Sequence, residues 1–220
     1  MVFSTFESLT GLPEIFGYIL LFILGAAIGS FLNVVIHRVP LEESIVFPNS
    51  ACPKCQKPIR AYDNIPLLSW IILRGKCRNC KNPISVRYPA VELLNALLYV
   101  LIFWQIGFNA FLPVVLIFST TMVALIFIDA ENMILPDVIN FPLLFFALAV
   151  RILFPIFISD QYFSDIAVYP LTELENLPVW TVSLIGALLG GIAGGGSLWL
   201  FGKAWKILRK VDAMGFGDVK

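Results

Sequence analysis

Long apolar blocks alternate with short polar ones along this chain. Residues 15–36, IFGYILLFILGAAIGSFLNVVI, match one crossing of a bilayer, which takes ~20 apolar residues to span ~30 Å of hydrocarbon. Residues 93–128 hold no charge, and 36 residues are too many for one crossing. They divide at GFNAFLP, where Gly107, Asn109 and Pro113 supply turn chemistry. Residues 138–158 make a fourth run, interrupted by Arg151, and residues 177–202 a fifth. A mid-bilayer arginine costs about 2.5–3.5 kcal/mol on insertion scales, so Arg151 is expected to snorkel or face protein. The pattern therefore predicts an all-α polytopic membrane protein with five spans.

Composition agrees. The chain of 220 residues is 59% hydrophobic and only 14% charged, too apolar for a soluble core to hide. Net charge is zero, which gives a nucleic-acid partner no electrostatic support. The start, MVFSTFESLTGLPE, has acids and no base, unlike a secretory signal, so the first block reads as a retained span.

Charge distribution sets the orientation. Nine of the fifteen Lys and Arg lie between Arg38 and Arg87, and Lys203, Lys206, Arg209 and Lys210 follow the fifth block. The stretch from Asp160 to Glu175 holds four acids and no base. The positive-inside rule then places the N-terminus, the 109 turn and the acidic loop outside. The 38–90 loop, the 129–137 loop and the C-terminal end fall in the cytoplasm.

All four cysteines lie in the 38–90 loop: Cys52, Cys55, Cys77 and Cys80, as Cys-x2-Cys-x21-Cys-x2-Cys. Two such knuckles can complete a tetrahedron of thiolates around zinc. The alternatives are two disulfides or four idle thiols, and a reducing compartment argues against the former. Four thiolates leave no open coordination position, so the expected site is structural. Lys54, Lys57, Lys76, Arg78 and Lys81 are available to offset its negative charge. The loop is expected to draw much of its folding free energy from the metal.

Two acids draw attention at the cytoplasmic edge. Asp129, in FIDAENMILPD, ends the third span, where a carboxylate opposes the helix dipole. Asp137 follows Pro136 and reads as a helix N-cap. Asp218, in MGFGDVK, returns to the same face on a backbone that Gly215 and Gly217 make permissive. Two carboxylates held together share one proton, one acting as base toward water and the other as donor to a carbonyl. Such a pair performs aspartic peptide hydrolysis.

The residues then meet a known pattern. GSFLNVVIHRVP (29–40), FPNSACPKC, IPLLSWIILRGKCRNC, RYPAVELLNALL, IDAENMILPD and MGFGDVK occur in the order found in type IV prepilin peptidases. The chain resembles that family, intramembrane aspartic proteases of the Gly-x-Gly-Asp type, from about residue 25 to the end. The resemblance implies Asp129 and Asp218 as the catalytic pair and does not carry over Asp137. It implies cleavage of the leader from prepilins or pseudopilins at the cytoplasmic face of the bacterial inner membrane. The intact cysteine pattern implies the bifunctional kind, which also N-methylates the new N-terminus with S-adenosylmethionine. Gly75 and Lys76 match a segment linked with methyl transfer in the family; a turn and a solvated charge explain them equally well.

The implied domains are 1–37, a first transmembrane helix; 38–90, a small cytoplasmic zinc-binding loop domain associated with methyl transfer; and 91–220, the membrane-embedded peptidase. The family continues beyond Gly-x-Gly-Asp into further helices, so the last domain is expected to be incomplete and the bundle truncated after the fifth span. The acidic loop at 159–178 is longer than the family pattern and lies away from the expected chemistry.

Other features are expected to be structural. Gly186, Gly190 and Gly194 repeat at four-residue spacing, which suits close helix packing in lipid. His37 is the only histidine and reads as a headgroup-facing residue; with no Gly-x-Ser-x-Gly, serine-protease chemistry falls. Trp180 and Trp199 read as interfacial anchors. Two other function classes compete: a magnesium-dependent membrane transferase using Asp129, Glu131, Asp137 and Asp218, and a non-enzymatic zinc-bearing scaffold. The first lacks carboxylates one helical turn apart and nearby bases for phosphate; the second leaves Asp129 and Asp218 unexplained.

Overall fold

The computed structural model describes residues 6–157 and 177–209. Regular structure there is helical: α1 (Phe6–Thr10), α2 (Glu14–Arg38), α3 (Leu68–Ile72), α4 (Arg87–Ile106), α5 (Leu112–Asn132), α6 (Asp137–Phe157) and α7 (Val179–Arg209). Among the described residues, four stretches are long and apolar enough to cross a membrane: Glu14–Leu41, Arg87–Ile106, Leu112–Asn132 and Val179–Phe201. The expected span at 138–158 is helical as α6 and is not one of those four. The charge-free 93–128 block divides where turn chemistry placed the break. Gly107 ends α4 at φ +68°, and Asn109 Oδ1 accepts from the Phe111 and Leu112 amides at 2.8 and 3.1 Å, capping the start of α5.

The chain forms two compact units, Met1–Met133 and Ile134–Lys220. In the first, α2 and α4 run antiparallel in close contact. Gly17, Leu21, Gly25, Gly29 and Asn33 of α2 are buried at four-residue intervals, forming one ridge of the helix. A Cβ on Gly25 would lie 2.7 Å from the Ala96 Cα, and one on Gly29 would lie 2.7 Å from the Glu92 Cα. Backbone thus meets backbone, as small residues permit between helices in lipid. Asn95 reinforces the contact by donating to the Gly25 carbonyl at 2.8 Å, and Asn33 donates to the Tyr88 carbonyl at 3.1 Å. Thr120 of α5 joins by donating to Asn95 Oδ1 at 3.3 Å, beside a 2.8 Å contact to the Tyr99 hydroxyl. At the opposite end, Phe6, Leu21, Tyr99, Phe103, Leu112 and Leu116 form an apolar cluster.

The second unit contains α6 and α7, which pack against each other. Val182 and Ser183, near the start of α7, are buried. Of the later glycines, a Cβ on Gly190 or Gly194 would meet nothing within 4 Å among the described residues. Glycine permits close approach but does not supply the opposing surface. Trp199 carries Lys203 Nζ 4.7 Å over its ring, which suits an interfacial anchor.

These glycines make opposite predictions. Gly29→Leu forces α2 from α4 and should cost about 1–3 kcal/mol or more, whereas Gly190→Leu should cost little. Thermal unfolding of the full chain in detergent measures both; equal losses would overturn the assigned packing.

Candidate functional site

The module between α2 and α4 is built on two near-identical knuckles, CPKCQKPI (52–59) and CRNCKNPI (77–84). In the first, the Cys52 amide donates to the Lys57 carbonyl at 3.0 Å and the Gln56 amide to the Cys52 carbonyl at 2.8 Å. In the second, Cys77 donates to Asn82 at 2.8 Å and Lys81 to Cys77 at 3.0 Å. Gln56 and Lys81, at matching positions, take φ +60° and +59°. This internal repeat was legible in the sequence and went unread there; its signal is the shared Cys-x2-Cys-x2-Pro-Ile.

The knuckles bring all four sulfurs together. The Sγ atoms of Cys52, Cys55, Cys77 and Cys80 lie within 4.8 Å of one another, with Cys52 Sγ 3.8 Å from Cys80 Sγ. A tetrahedron with metal–sulfur bonds of about 2.3 Å has edges of about 3.8 Å. All four cysteines are free thiols, so no disulfide joins them. The cluster fits a metal ion in its donor set and in its size.

Electrostatics point the same way. The Cys55 and Lys54 amides pull the Cys52 thiol below its ordinary value. The Asn82 amide, helped by the neighbouring Cys77 and Cys55 thiols and the Asn82 side chain, pulls Cys80 down to about 6. The Lys57 amide favours the Cys55 thiolate, but desolvation and the other three sulfurs outweigh it and push that thiol up to about 11. Four sulfurs this close cannot all ionise against their mutual repulsion. A cation among them removes the conflict.

Further contacts brace the module. Arg78 donates to both Asp63 carboxylate oxygens at 2.6–2.9 Å and thereby holds the Asp63 carboxyl below its usual range. Its guanidinium also lies 5.5 Å from the Tyr62 ring centre. Gly75 has φ +67°, and a Cβ there would lie 3.0 Å from the Trp70 ring. Both facts favour glycine. Trp70 Nε1–H donates to the Ile84 carbonyl at 3.3 Å, closing α3 over the second knuckle.

Two anchors tie the module to the helices. Arg38, at the end of α2, donates to the Ser44 and Pro48 carbonyls at 2.8 and 2.7 Å. Leu67, at φ +60°, donates its amide to Glu92 Oε2 at 2.7 Å. Glu92 is buried in the second turn of α4. Sequence reasoning passed over Glu92, although an acid bordering a charge-free block of 36 residues was a signal.

The acids are placed less completely. Asp129 is exposed in the last turn of α5, and its carbonyl accepts the Met133 amide at 2.7 Å where the helix ends left-handed. Two residues on, Glu131 takes a two-pronged contact from Arg87 Nη1 at 2.5–2.6 Å, joining the end of α5 to the start of α4. Asp137 opens α6, in the other unit, as an acid in a first turn, a position the helix dipole favours. Asp218 lies outside the described residues. The four cysteines are thus seen assembled, and of the expected acid pair Asp129 is among the described residues.

Together these features define a polytopic helical membrane protein carrying a four-thiol module that could hold a metal ion. Residues 23–106 match the family model for the bacterial peptidase A24 N-terminal domain. A prepilin leader peptidase/N-methyltransferase of Neisseria gonorrhoeae is 38% identical over 222 residues, covering 90% of this chain and 69% of the relative. A protein of the same name from Aeromonas hydrophila is 37% identical, covering 96% of this chain and 72% of the relative. One from Myxococcus xanthus is 50% identical over 130 residues, 58% of this chain and 39% of the relative. No solved structure matches the chain. The chain belongs to the prepilin leader peptidase/N-methyltransferase family.

Proposed function

We propose that this protein removes the leader peptide from type IV prepilins or pseudopilins and methylates the amine so exposed. The observation that carries the reading is alignment along more than two thirds of relatives bearing both activities in their name, with the four-thiol cluster inside the matched segment. Neither competing class, magnesium-dependent transferase or inert scaffold, accounts for that alignment.

In this reading the protein sits in the bacterial inner membrane with its N-terminus outside and residues 38–90 in the cytoplasm. Asp129 and Asp218 form the catalytic pair in the 91–220 segment. One acid takes a proton from water as the oxygen attacks the scissile carbonyl carbon. The other, protonated, donates to the carbonyl oxygen. Collapse of the tetrahedral species breaks the C–N bond, and the amine leaves with a proton from the pair. The exposed position of Asp129 at the end of an apolar helix suits a cut at the boundary between a charged leader and a hydrophobic segment. Arg87 and Glu131 fix the height of that helix end.

Cys52, Cys55, Cys77 and Cys80 hold zinc, which folds the module and takes no part in the chemistry. S-adenosylmethionine is the methyl donor, and the reading assigns it no binding residue. The test is direct. The full chain in liposomes is given a prepilin and S-adenosylmethionine without magnesium, and products are weighed by mass spectrometry. A shortened, methylated pilin is expected; turnover that depends on added magnesium and leaves the prepilin intact would favour the transferase.

A further inference from the structure

Helix α3 is built inside out for a module bathed in water. Its serine is the buried residue: Ser69 is 8% exposed, accepts from the Ile65 amide at 3.0 Å and donates to the Tyr62 carbonyl at 3.1 Å. Its aliphatic residues point away. Leu68, Ile71 and Ile72 are 56, 64 and 72% exposed, and their spacing of three and four places them on one face. Only Trp70, lying over Gly75, turns an apolar side chain toward the module. A helix in contact with water buries such residues and exposes its serine.

The height of α3 accounts for the inversion. The residue before it, Leu67, is bonded to Glu92, which lies five residues into α4. At 1.5 Å per residue, that is about 7–8 Å beyond the helix start at Arg87. The apolar face is therefore held beside the second turn of a helix long and apolar enough to cross a membrane. At the same level α4 also exposes aliphatic residues, Leu93, Leu94 and Leu97 being 42, 41 and 52% exposed. Exposed Arg74 and Lys76 follow at once, as suits anionic headgroups.

We infer that the face formed by Leu68, Ile71 and Ile72 is inserted in the cytoplasmic leaflet, so that the metal-binding module lies on the bilayer as a monotopic element rather than hanging free in solution. This goes beyond the proposed activity and does not depend on it. The consequence is geometric: the four-thiol cluster, joined to α3 through Trp70 and Gly75, is kept at a constant distance from the membrane surface.

The test uses the full chain in membranes of phosphatidylethanolamine and phosphatidylglycerol, with p-benzoyl-L-phenylalanine in place of Ile72, Leu68 or, as control, the exposed Lys57. After irradiation, mass spectrometry identifies each adduct. Phospholipid adducts are expected at positions 72 and 68 and lost at 57. Adducts to a second copy or to another polypeptide, or no adduct at 72 and 68, would overturn the inference. The paired positions keep it readable should one replacement prevent folding.

Discussion

Asp129→Asn is expected to abolish leader removal, by roughly 10³-fold or more as acid–base catalysis is lost, while leaving the amount and thermal stability of the protein unchanged. The two halves of this expectation have separate physical grounds. Asparagine is nearly isosteric but cannot hold the shared proton or take one from water. Its fold cost is small because the Asp129 side chain is exposed and its structural contact is the backbone carbonyl that receives the Met133 amide. Exposed substitutions of this kind lie within about 0.5 kcal/mol. Removing a carboxylate from a helix C-terminus relieves an unfavourable dipole interaction, so the variant is expected to be neutral or slightly more stable. Glu131→Gln supplies the contrast, since it loses the charge facing Arg87 and should lose stability before chemistry. Leader cleavage assayed beside thermal unfolding distinguishes them. Cleavage persisting in Asp129→Asn would remove the assignment, and equal loss in Asp218→Asn at full protein level would support the pair.

Metal removal should produce the other large effect, and in a different part of the chain. Between the end of α2 and the start of α4, the buried hydrophobic residues are Cys52 and Cys77, two of the four clustered thiols. The module has no apolar core to fall back on. Structural zinc supplies apparent free energies of about 10–16 kcal/mol in small zinc-finger peptides, far above what the Asp63–Arg78 pair can provide at the surface. Cys77→Ser, or chelation, is therefore expected to leave residues 52–84 open to protease. The α2–α4 contact should survive, because Gly25, Gly29 and Asn95 hold it without the module. Limited proteolysis with metal analysis of the same sample reads both. A cleavage pattern indifferent to metal would show that the knuckle hydrogen bonds suffice alone.

Much of this architecture was legible beforehand because the signals are local. A block of some twenty apolar residues needs only its own composition to predict a span. The cysteine spacing predicts a thiol cluster because two short knuckles, each set by its own turn, present two sulfurs apiece. The break at Gly107 and Asn109 follows from backbone preferences confined to five residues. In all three, the residues that determine the outcome are neighbours in the chain.

Contacts between distant segments followed another rule. Sequence reasoning singled out the small-residue stripe at Gly186, Gly190 and Gly194 and did not weigh Gly25 and Gly29, yet among the described residues it is Gly25 and Gly29 that meet a neighbouring helix. Close approach belongs to a pair of surfaces, and a single segment does not name its partner. The same holds for the bond from Leu67 to Glu92 across 25 residues, and for a helix whose serine faces inward and whose isoleucines face outward. The sequence alone determined which segments are apolar and which side chains can bind metal. Tertiary structure decided which helices touch, at what height the module is moored and which way α3 faces, because those depend on surfaces brought together only when the chain folds.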